Sequence, residues 1–374
     1  MRIETLAVHA GGEPDGATGA IAPPIHLSTT FEHPPDSSQL AGFIYSRYGN
    51  PSQDRLESAL AALEGGAAAV AYASGMAAAV ALFHALPRGS HVLLGDDIYF
   101  SVRTVAREHF PRWGLEASIV DATDLAAMRA AMRRETRCIW IESPSNPRLK
   151  VADIAAIAEL ARGAGALLVV DSTFAPPVVQ RPLELGAHVV MQSCTKYLAG
   201  HADAQAGALV LAEAGALLGE LAAQRTVLGP VVSPFTAWMV LRGLRTLPCR
   251  MEWHARGAAA VADFLARHPR VERVHYPGLA SHPQHQLARR QMRSFGGMLS
   301  FELAGGAGPA LACAGRLRLF RNATSLGSTE SLVEHRASLE GPDSPTPPGL
   351  LRLSIGLEHP DDLVADLAQA LDGV

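Results

Sequence analysis

Cysteine is scarce in this 374-residue chain, with four residues in all: Cys138, Cys194, Cys249 and Cys313. None forms a CxxC pair, which argues against structural zinc and against a disulfide framework. Free thiols suit a reducing cytosol. Charged residues make up only 18%, net charge is −4, and no block of five or six like charges occurs. No basic face of the kind that grips a nucleic-acid backbone is expected. The opening stretch, MRIETLAVHAGGEPDG, has no apolar run, so no secretory signal is expected. The longest apolar stretch, 67–86, is rich in Ala and contains Tyr72, Ser74, Gly75 and His84. That makes a poor membrane span. A soluble cytoplasmic protein is the expectation, with no metal site, no nucleic acid and no membrane partner. What is present is an apolar fraction of 48%, ordinary for a globular chain. The length has room for two or three domains.

Lysine is scarcer still. Of 32 Lys and Arg residues only Lys150 and Lys196 are lysine. An Arg stays protonated, whereas a Lys can give up its proton and act as an amine. The two lysines are therefore candidates for chemistry before any motif is considered.

Along the chain, residues 1–50 are rich in Gly, Pro, Thr and His and read as an extended N-terminal arm. From 51 to 234, short apolar runs alternate with amphipathic stretches. Residues 53–64 have helical spacing and stop at Gly65-Gly66. Apolar runs follow at 68–73, 91–94, 117–120, 138–141, 167–170, 189–191 and 207–211, with helical patterns at 123–134 and 152–163. This alternation predicts an α/β large domain, a mostly parallel sheet covered on both faces. Residues 235–374 read as a smaller α+β domain. Its expected parts are one or two helices over 236–268, strands at 271–275, 297–303 and 351–355, and a closing helix at 360–372. The Pro-rich stretch 341–349 reads as loop.

Ligands of open parallel sheets bind beyond the carboxyl ends of the strands. The residues there are Ser74-Gly75-Met76 before an Ala-rich helix, Glu142-Ser-Pro-Ser-Asn146-Pro147, Asp171-Ser172-Thr173-Phe174, and Gln192-Ser193-Cys194-Thr195-Lys196-Tyr197. Each has an ordinary structural reading as a cap or a turn. Together they offer an anion nest, a carboxylate, an amide, hydroxyls and one of the two lysines. Pyridoxal phosphate needs an amine for its aldehyde, a carboxylate to keep its ring nitrogen protonated, and donors for its phosphate. Lys196 can supply the first and Asp171 the second. The Gly75 and Met76 N–H groups, with Ser193 and Thr195, can supply the third; Thr173 is counted as a further cofactor contact. A dinucleotide fold is disfavoured, because Gly163-Ala164-Gly165 precedes its strand. A serine-hydrolase elbow, G-x-S-x-G, is absent.

At these residues the chain resembles the Cys/Met-metabolism group of fold-type I pyridoxal-phosphate enzymes, which includes cystathionine γ-synthases, cystathionine γ- and β-lyases, methionine γ-lyases and O-acylhomoserine sulfhydrylases. The stretches that carry the resemblance are YSRYGNPS (45–52), ASGMAA (73–78), ESPSNP (142–147), VDSTFAPP (170–177), SCTKYLAGHAD (193–203), SPFTAWMVLRGLRTL (233–247), FGGMLSF (295–301), TSLGSTESL (324–332) and LLRLSIGLE (350–358). The resemblance implies further roles. Tyr45 and Arg47 would reach a neighbouring subunit's cofactor phosphate. Tyr99 would stack on the cofactor ring and move protons. Asn146 would contact the cofactor's 3′ oxygen and the substrate. Ser325 and Arg352 would hold the substrate α-carboxylate, with Thr324 beside them. Without the resemblance Arg352 reads as a solvated strand residue, and Lys150 reads as structural.

The implied activity is γ-elimination or γ-replacement on a homoserine- or homocysteine-derived amino acid. Lys196 would act as the proton shuttle and Tyr99 as the donor to the leaving group. The alternatives are β-elimination from cystathionine or cysteine, and methionine γ-lyase or O-acylhomoserine sulfhydrylase activity; a non-catalytic scaffold is a third reading. The implied assembly is a homotetramer, a dimer of dimers with shared active sites. Three departures from the family pattern surround the distal substrate pocket: Phe100-Ser101 after Tyr99, Thr324 where cystathionine-specific members usually have Glu, and the run HRASLEGPDSPTPPG (335–349) in place of the usual His-Pro-Ala and Met-Thr-His segment.

Overall fold

The computed structural model describes residues 1–38, 42–341 and 344–373. Part of the 341–349 loop and part of the 1–50 arm therefore lie outside the described residues. Seven strands build the first sheet: β1 (Ala68–Tyr72), β2 (His91–Gly95), β3 (Glu116–Val120), β4 (Thr136–Glu142), β5 (Leu167–Asp171), β6 (Val189–Gln192) and β7 (Gly207–Leu211). Their order is β1-β7-β6-β5-β4-β2-β3. Only β7 runs antiparallel to its neighbours; β3, β2, β4, β5 and β6 are parallel. The seven apolar runs correspond to these strands.

The reason for unbroken runs is visible in the packing. Val92, Leu94, Cys138, Trp140 and Val169 enter one core cluster. Their sequence neighbours Leu93, Ile139, Ile141, Leu168 and Val170 enter another, on the opposite face. Successive side chains point to opposite faces of a strand. Both faces are covered, so both alternating sets must be apolar.

A second sheet has five strands: β8 (Val271–His275), β9 (Met298–Leu303), β10 (Arg321–Asn322), β11 (Leu332–His335) and β12 (Leu350–Ser354), in the order β10-β11-β12-β9-β8. Sequence reading placed β8, β9 and β12. It missed β10 and β11, which are too short to show an alternation. The 236–268 stretch forms two helices, Pro234–Leu244 and Leu247–Leu265. The Ser300 hydroxyl on β9 donates to the Pro147 carbonyl at 2.7 Å, tying the second sheet to the turn after β4.

The arm is not wholly extended. Residues Ile3–His9 form a short helix, α1, with Ile3 and Ala7 buried. These residues are four apart, so they share a face, and that face packs near helix α2 (Pro51–Glu64). Asn50 caps α2, its side chain accepting from Ser52 N, and Pro51 occupies the first turn. Among the described residues no helix is long and apolar enough to cross a membrane.

The carboxyl ends of β1, β4, β5 and β6 meet on one rim. Because β7 is antiparallel, its first residue, Gly207, lies on the same rim, opposite Tyr72. A Cβ at Gly207 would fall 2.4 Å from the Ser74 carbonyl oxygen and 2.5 Å from Gly75 Cα. Only glycine allows this approach of β7 to the turn after β1.

Candidate active site

The rim encloses a cavity of about 210 Å³. Its walls include Gly75, Met76, Tyr99, Asn146, Asp171, Thr173, Ser193, Thr195, Lys196, Thr324, Ser325 and Arg352. Twelve of the fourteen candidate residues therefore meet in one place, although they span the chain from 75 to 352.

Helix α3 (Gly75–His84) begins at the cavity wall. Ser74 caps it, its hydroxyl accepting from Ala77 N at 3.1 Å. Gly75 and Met76 are the first two helical residues, so their N–H groups have no acceptor within the helix. A Cβ at Gly75 would come 3.0 Å from Ser193 Cβ and 3.1 Å from its Oγ. The bare backbone therefore faces the Ser193 hydroxyl across a space that any side chain would fill. The aligned peptide dipoles favour an anion there.

The turn after β6 presents Lys196. Thr195 anchors it: its N and Oγ1 each lie 3.1 Å from Ala206 backbone groups. The Ser193 N–H donates to Thr173 Oγ1 at 2.9 Å, joining this turn to the one after β5. The Lys196 amine donates to Ser325 Oγ at 2.6 Å. Burial, reinforced by the Arg352 charge, pulls this amine down to about 8. Loss of the proton is thus far easier than for a lysine in water.

Asp171 ends β5 directly opposite Glu142, which ends β4. Both are buried. Burial raises Asp171 to about 6, opposed by hydrogen bonds from Thr173 and by the Lys196 charge. Burial also holds Glu142 well above the carboxylate range, with Asp171 adding to the effect. Glu142 accepts from Tyr99 N at 2.7 Å and so fixes the start of the helix that follows, α4 (Phe100–Glu108).

Arg352, on β12, is 3% exposed, which overturns the reading of it as a solvated strand residue. Its Nη1 donates to Asn146 Oδ1 at 3.0 Å, and its Nη2 to the Ser325 carbonyl at 3.1 Å and to Glu334 Oε2 at 2.7 Å. Glu334 sits opposite Arg352 in the β11–β12 ladder, so register alone brings the pair together. Ser325 takes a φ of +103°. Two residues on, a Cβ at Gly327 would fall 2.8 Å from Tyr197 N, so this loop also depends on a glycine to lie against the Lys196 turn.

Tyr45 and Arg47 are not part of this cavity. Arg47 stacks 5.5 Å from the Tyr45 ring and 5.3 Å from the Tyr48 ring, and donates to the Thr226 carbonyl at 2.6 Å. Lys150 is held by two carboxylates, Asp96 at 2.7 Å and Asp121 at 2.8 Å, and takes no place in the cavity wall. Sequence reasoning gave no role to Glu142, Gln205 or Arg336, which all line the cavity. Glu142 carried a signal, as the first residue past the 138–141 run, just as Asp171 is the first past the 167–170 run. Arg336 carried none, since its run departs from the pattern that revealed the others.

The chain matches the family model described as Cys/Met metabolism PLP-dependent enzyme over residues 4–372. It is 46% identical to the cystathionine gamma-synthase of Mycobacterium tuberculosis, covering 98% of this chain and 96% of that protein. It is 44% identical to the L-methionine gamma-lyase of Pseudomonas putida over the same shares, 98% and 96%. Among solved structures, the crystal structure of metB from Corynebacterium glutamicum superposes with a TM-score of 0.97 at 41% identity, covering 100% of this chain and 98% of that one.

Proposed function

The chain belongs to the Cys/Met metabolism PLP-dependent enzymes, and from that membership we propose that it catalyses γ-elimination or γ-replacement on a homoserine- or homocysteine-derived amino acid. The observation that carries this reading is the meeting of Lys196, Asp171 and Arg352 in one cavity. An amine poised to lose its proton, a buried carboxylate and a guanidinium for the substrate carboxylate are what the chemistry requires.

The cavity fits the cofactor. Its donor set contains one amine, a carboxylate beyond it, and a glycine-backed helix start that a Cβ would block. Bound there, pyridoxal phosphate supplies an aldehyde that captures amines and a cationic ring that draws electrons from the substrate Cα. Lys196 Nζ would hold the aldehyde and Asp171 the ring nitrogen. The N–H groups of Gly75 and Met76, with Ser193, Thr195 and Thr173, would hold the phosphate side. Ser193 is the freer hydroxyl, since Thr195 Oγ1 already meets Ala206.

Arg352 binds the substrate α-carboxylate, held in place by Asn146 and Glu334. Freed when the substrate amine takes its place at the aldehyde, Lys196 Nζ would take the Cα proton, its burial making the neutral, proton-accepting amine more available. A second deprotonation, at Cβ, would then release the bond to the γ substituent, with Tyr99, on the cavity wall, donating a proton to that leaving group. Thr324 and Ser325 close the substrate side, and the Ser325 hydroxyl receives the Lys196 amine when it is free.

The exposed Tyr45, with the half-buried Arg47 over its ring, supports a shared site, in which a neighbouring copy's arm completes the phosphate contacts. A homotetramer built as a dimer of dimers provides that geometry. Four free cysteines fit a cytoplasmic setting.

Product analysis of the cofactor-loaded protein tests the proposal. It would be incubated with cystathionine, methionine, homocysteine and O-acylhomoserines, each with and without cysteine. Oxobutanoate, or cystathionine formed from an O-acylhomoserine, is the expected result. Pyruvate from cystathionine would instead assign β-elimination, the activity named for a relative 43% identical, from Coxiella burnetii.

A further inference from the structure

Arg336 lies in the run 335–349, where the chain departs from the family pattern. It is 1% exposed and lines the same cavity as Lys196 and Arg352. A buried guanidinium must be fully partnered or it is costly. Of its five N–H groups, one on Nη1 goes to Glu334 Oε2 at 2.7 Å and one on Nη2 to Glu340 Oε1 at 2.9 Å. Nε has no partner among the described residues.

The group is also held rigidly. Its Cζ lies 5.6 Å from the centre of the Phe100 ring, the residue after Tyr99. Glu340 is anchored in turn by Arg103 at 3.0 Å and by the Ser344 hydroxyl at 2.8 Å. Glu334 Oε2 serves both Arg336 and Arg352, each at 2.7 Å. One carboxylate oxygen therefore fixes the spacing between two guanidinium groups in the wall. Arg352 is committed to the α-carboxylate end of the substrate. Arg336 is a second, preorganised guanidinium in the same wall, with N–H groups to spare.

Resting on the γ-chemistry proposed above, we propose that Arg336 is a specificity-determining residue that selects a γ-substituent bearing an acceptor oxygen, an acyl ester in preference to a thioether. A thioether sulfur is a weak acceptor and leaves the spare Nη N–H groups of Arg336 unpaired. An ester carbonyl or a carboxylate satisfies them. Discrimination of this kind is strong, because the penalty falls on the buried polar group of the enzyme.

The test separates this role from the reaction that follows. Dissociation constants of the cofactor-loaded enzyme are measured by calorimetry for 2-aminoadipate and norleucine, which have equal chain length with and without distal oxygens. Neither has a γ-leaving group. Two variants accompany the wild type. Arg336→Lys keeps the charge and loses Nε and the planar fork. The double variant Arg336→Met with Glu340→Gln removes the guanidinium together with one of its counter-charges. The expected result is a wild-type preference for 2-aminoadipate that falls about tenfold or more in both variants, with norleucine affinity unchanged. Equal binding of the two ligands by wild type, an unchanged ratio in the folded variants, or equal loss of both ligands would overturn the proposal. In parallel, kcat/KM for O-acetyl- and O-succinylhomoserine is expected to fall in the variants while that for methionine holds. A wild-type enzyme inert towards cystathionine, methionine, homocysteine and the acylhomoserines alike would defeat the proposed reaction, and the binding ratio would still decide the role of Arg336.

Discussion

The amine of Lys196 donates to the hydroxyl of Ser325 at 2.6 Å, across 129 residues of sequence. Ser325 reaches that position with a φ of +103°, outside the comfortable range of a non-glycine residue. The contact parks the one reactive amine of the cavity beside the guanidinium of Arg352, whose charge helps to drive off its proton.

The stability of the cofactor-free protein should report that penalty. The pKa of Lys196 in the folded chain, about 8, lies below the ordinary lysine value of 10.5. The unfolded chain then binds more protons than the folded one between those values, so stability rises with pH across that window. Lys196→Met should be more stable than the wild type at pH 7, by about 1–2 kcal/mol. The gap should close as pH passes through 8 towards 10.5. Urea denaturation at several pH values measures it. A gap that does not change with pH would contradict the buried-amine reading.

Asp171 should control cofactor retention. It must be ionised to hold a cationic ring nitrogen, and burial has raised it to about 6. Cofactor affinity should weaken as pH falls through that value. Asp171→Asn should lower affinity and turnover by about 100-fold or more, since a charge-assisted bond is lost in a buried site. Absorbance of the bound cofactor after dialysis gives the answer. Full retention by the Asn variant would remove Asp171 from its role.

Arg352→Lys should raise KM for every amino-acid substrate. The fork that meets Asn146 and Glu334 cannot be copied by an ammonium. A fall in kcat/KM of about 100-fold is expected, with thermal stability largely kept because Glu334 retains Arg336. Steady-state kinetics with two different substrates tests this. A change confined to kcat would place Arg352 elsewhere in the reaction.

Gly207→Ala should damage both folding and the phosphate cradle. The new methyl would meet the Ser74 carbonyl and Gly75 backbone well inside contact distance. A loss of about 1–3 kcal/mol is expected from overpacking, together with weaker cofactor binding. Chemical denaturation and cofactor titration read the two effects separately. Wild-type affinity in this variant would mean that the helix start is not the anion site.

Shared sites predict complementation between two inactive variants. Lys196→Ala and Arg47→Ala subunits, mixed under conditions that allow exchange, should form one intact site in each mixed dimer. Recovery of about a quarter of wild-type activity is expected from random two-fold pairing. No recovery, with exchange verified by light scattering and mass, would confine Arg47 to its own chain.

Much of the large sheet was legible in the sequence, because parallel strands covered on both faces demand unbroken apolar runs. Four strand ends could then be read as a site without any structure. The short strand β11 was not legible, since four residues carry no period, and Glu334 was missed with it. The helix α1 was missed because its apolar face rests on only two residues, Ile3 and Ala7. The burial of Arg352 was invisible locally. Its charge is tolerated only because Glu334 lies opposite in the ladder and Asn146 arrives from the other sheet.

The sequence by itself determined the strands of the large sheet and set Lys196 and Asp171 apart as candidates at strand ends, because these depend on local pattern and on what each side chain is chemically able to do. Tertiary structure alone decided the arrangement at the substrate end. Arg336, Glu334 and Arg352 interact through one shared carboxylate oxygen. Such a contact depends on strand register and on the packing of distant segments. A charge buried at that point owes its stability to partners that its sequence neighbours do not reveal.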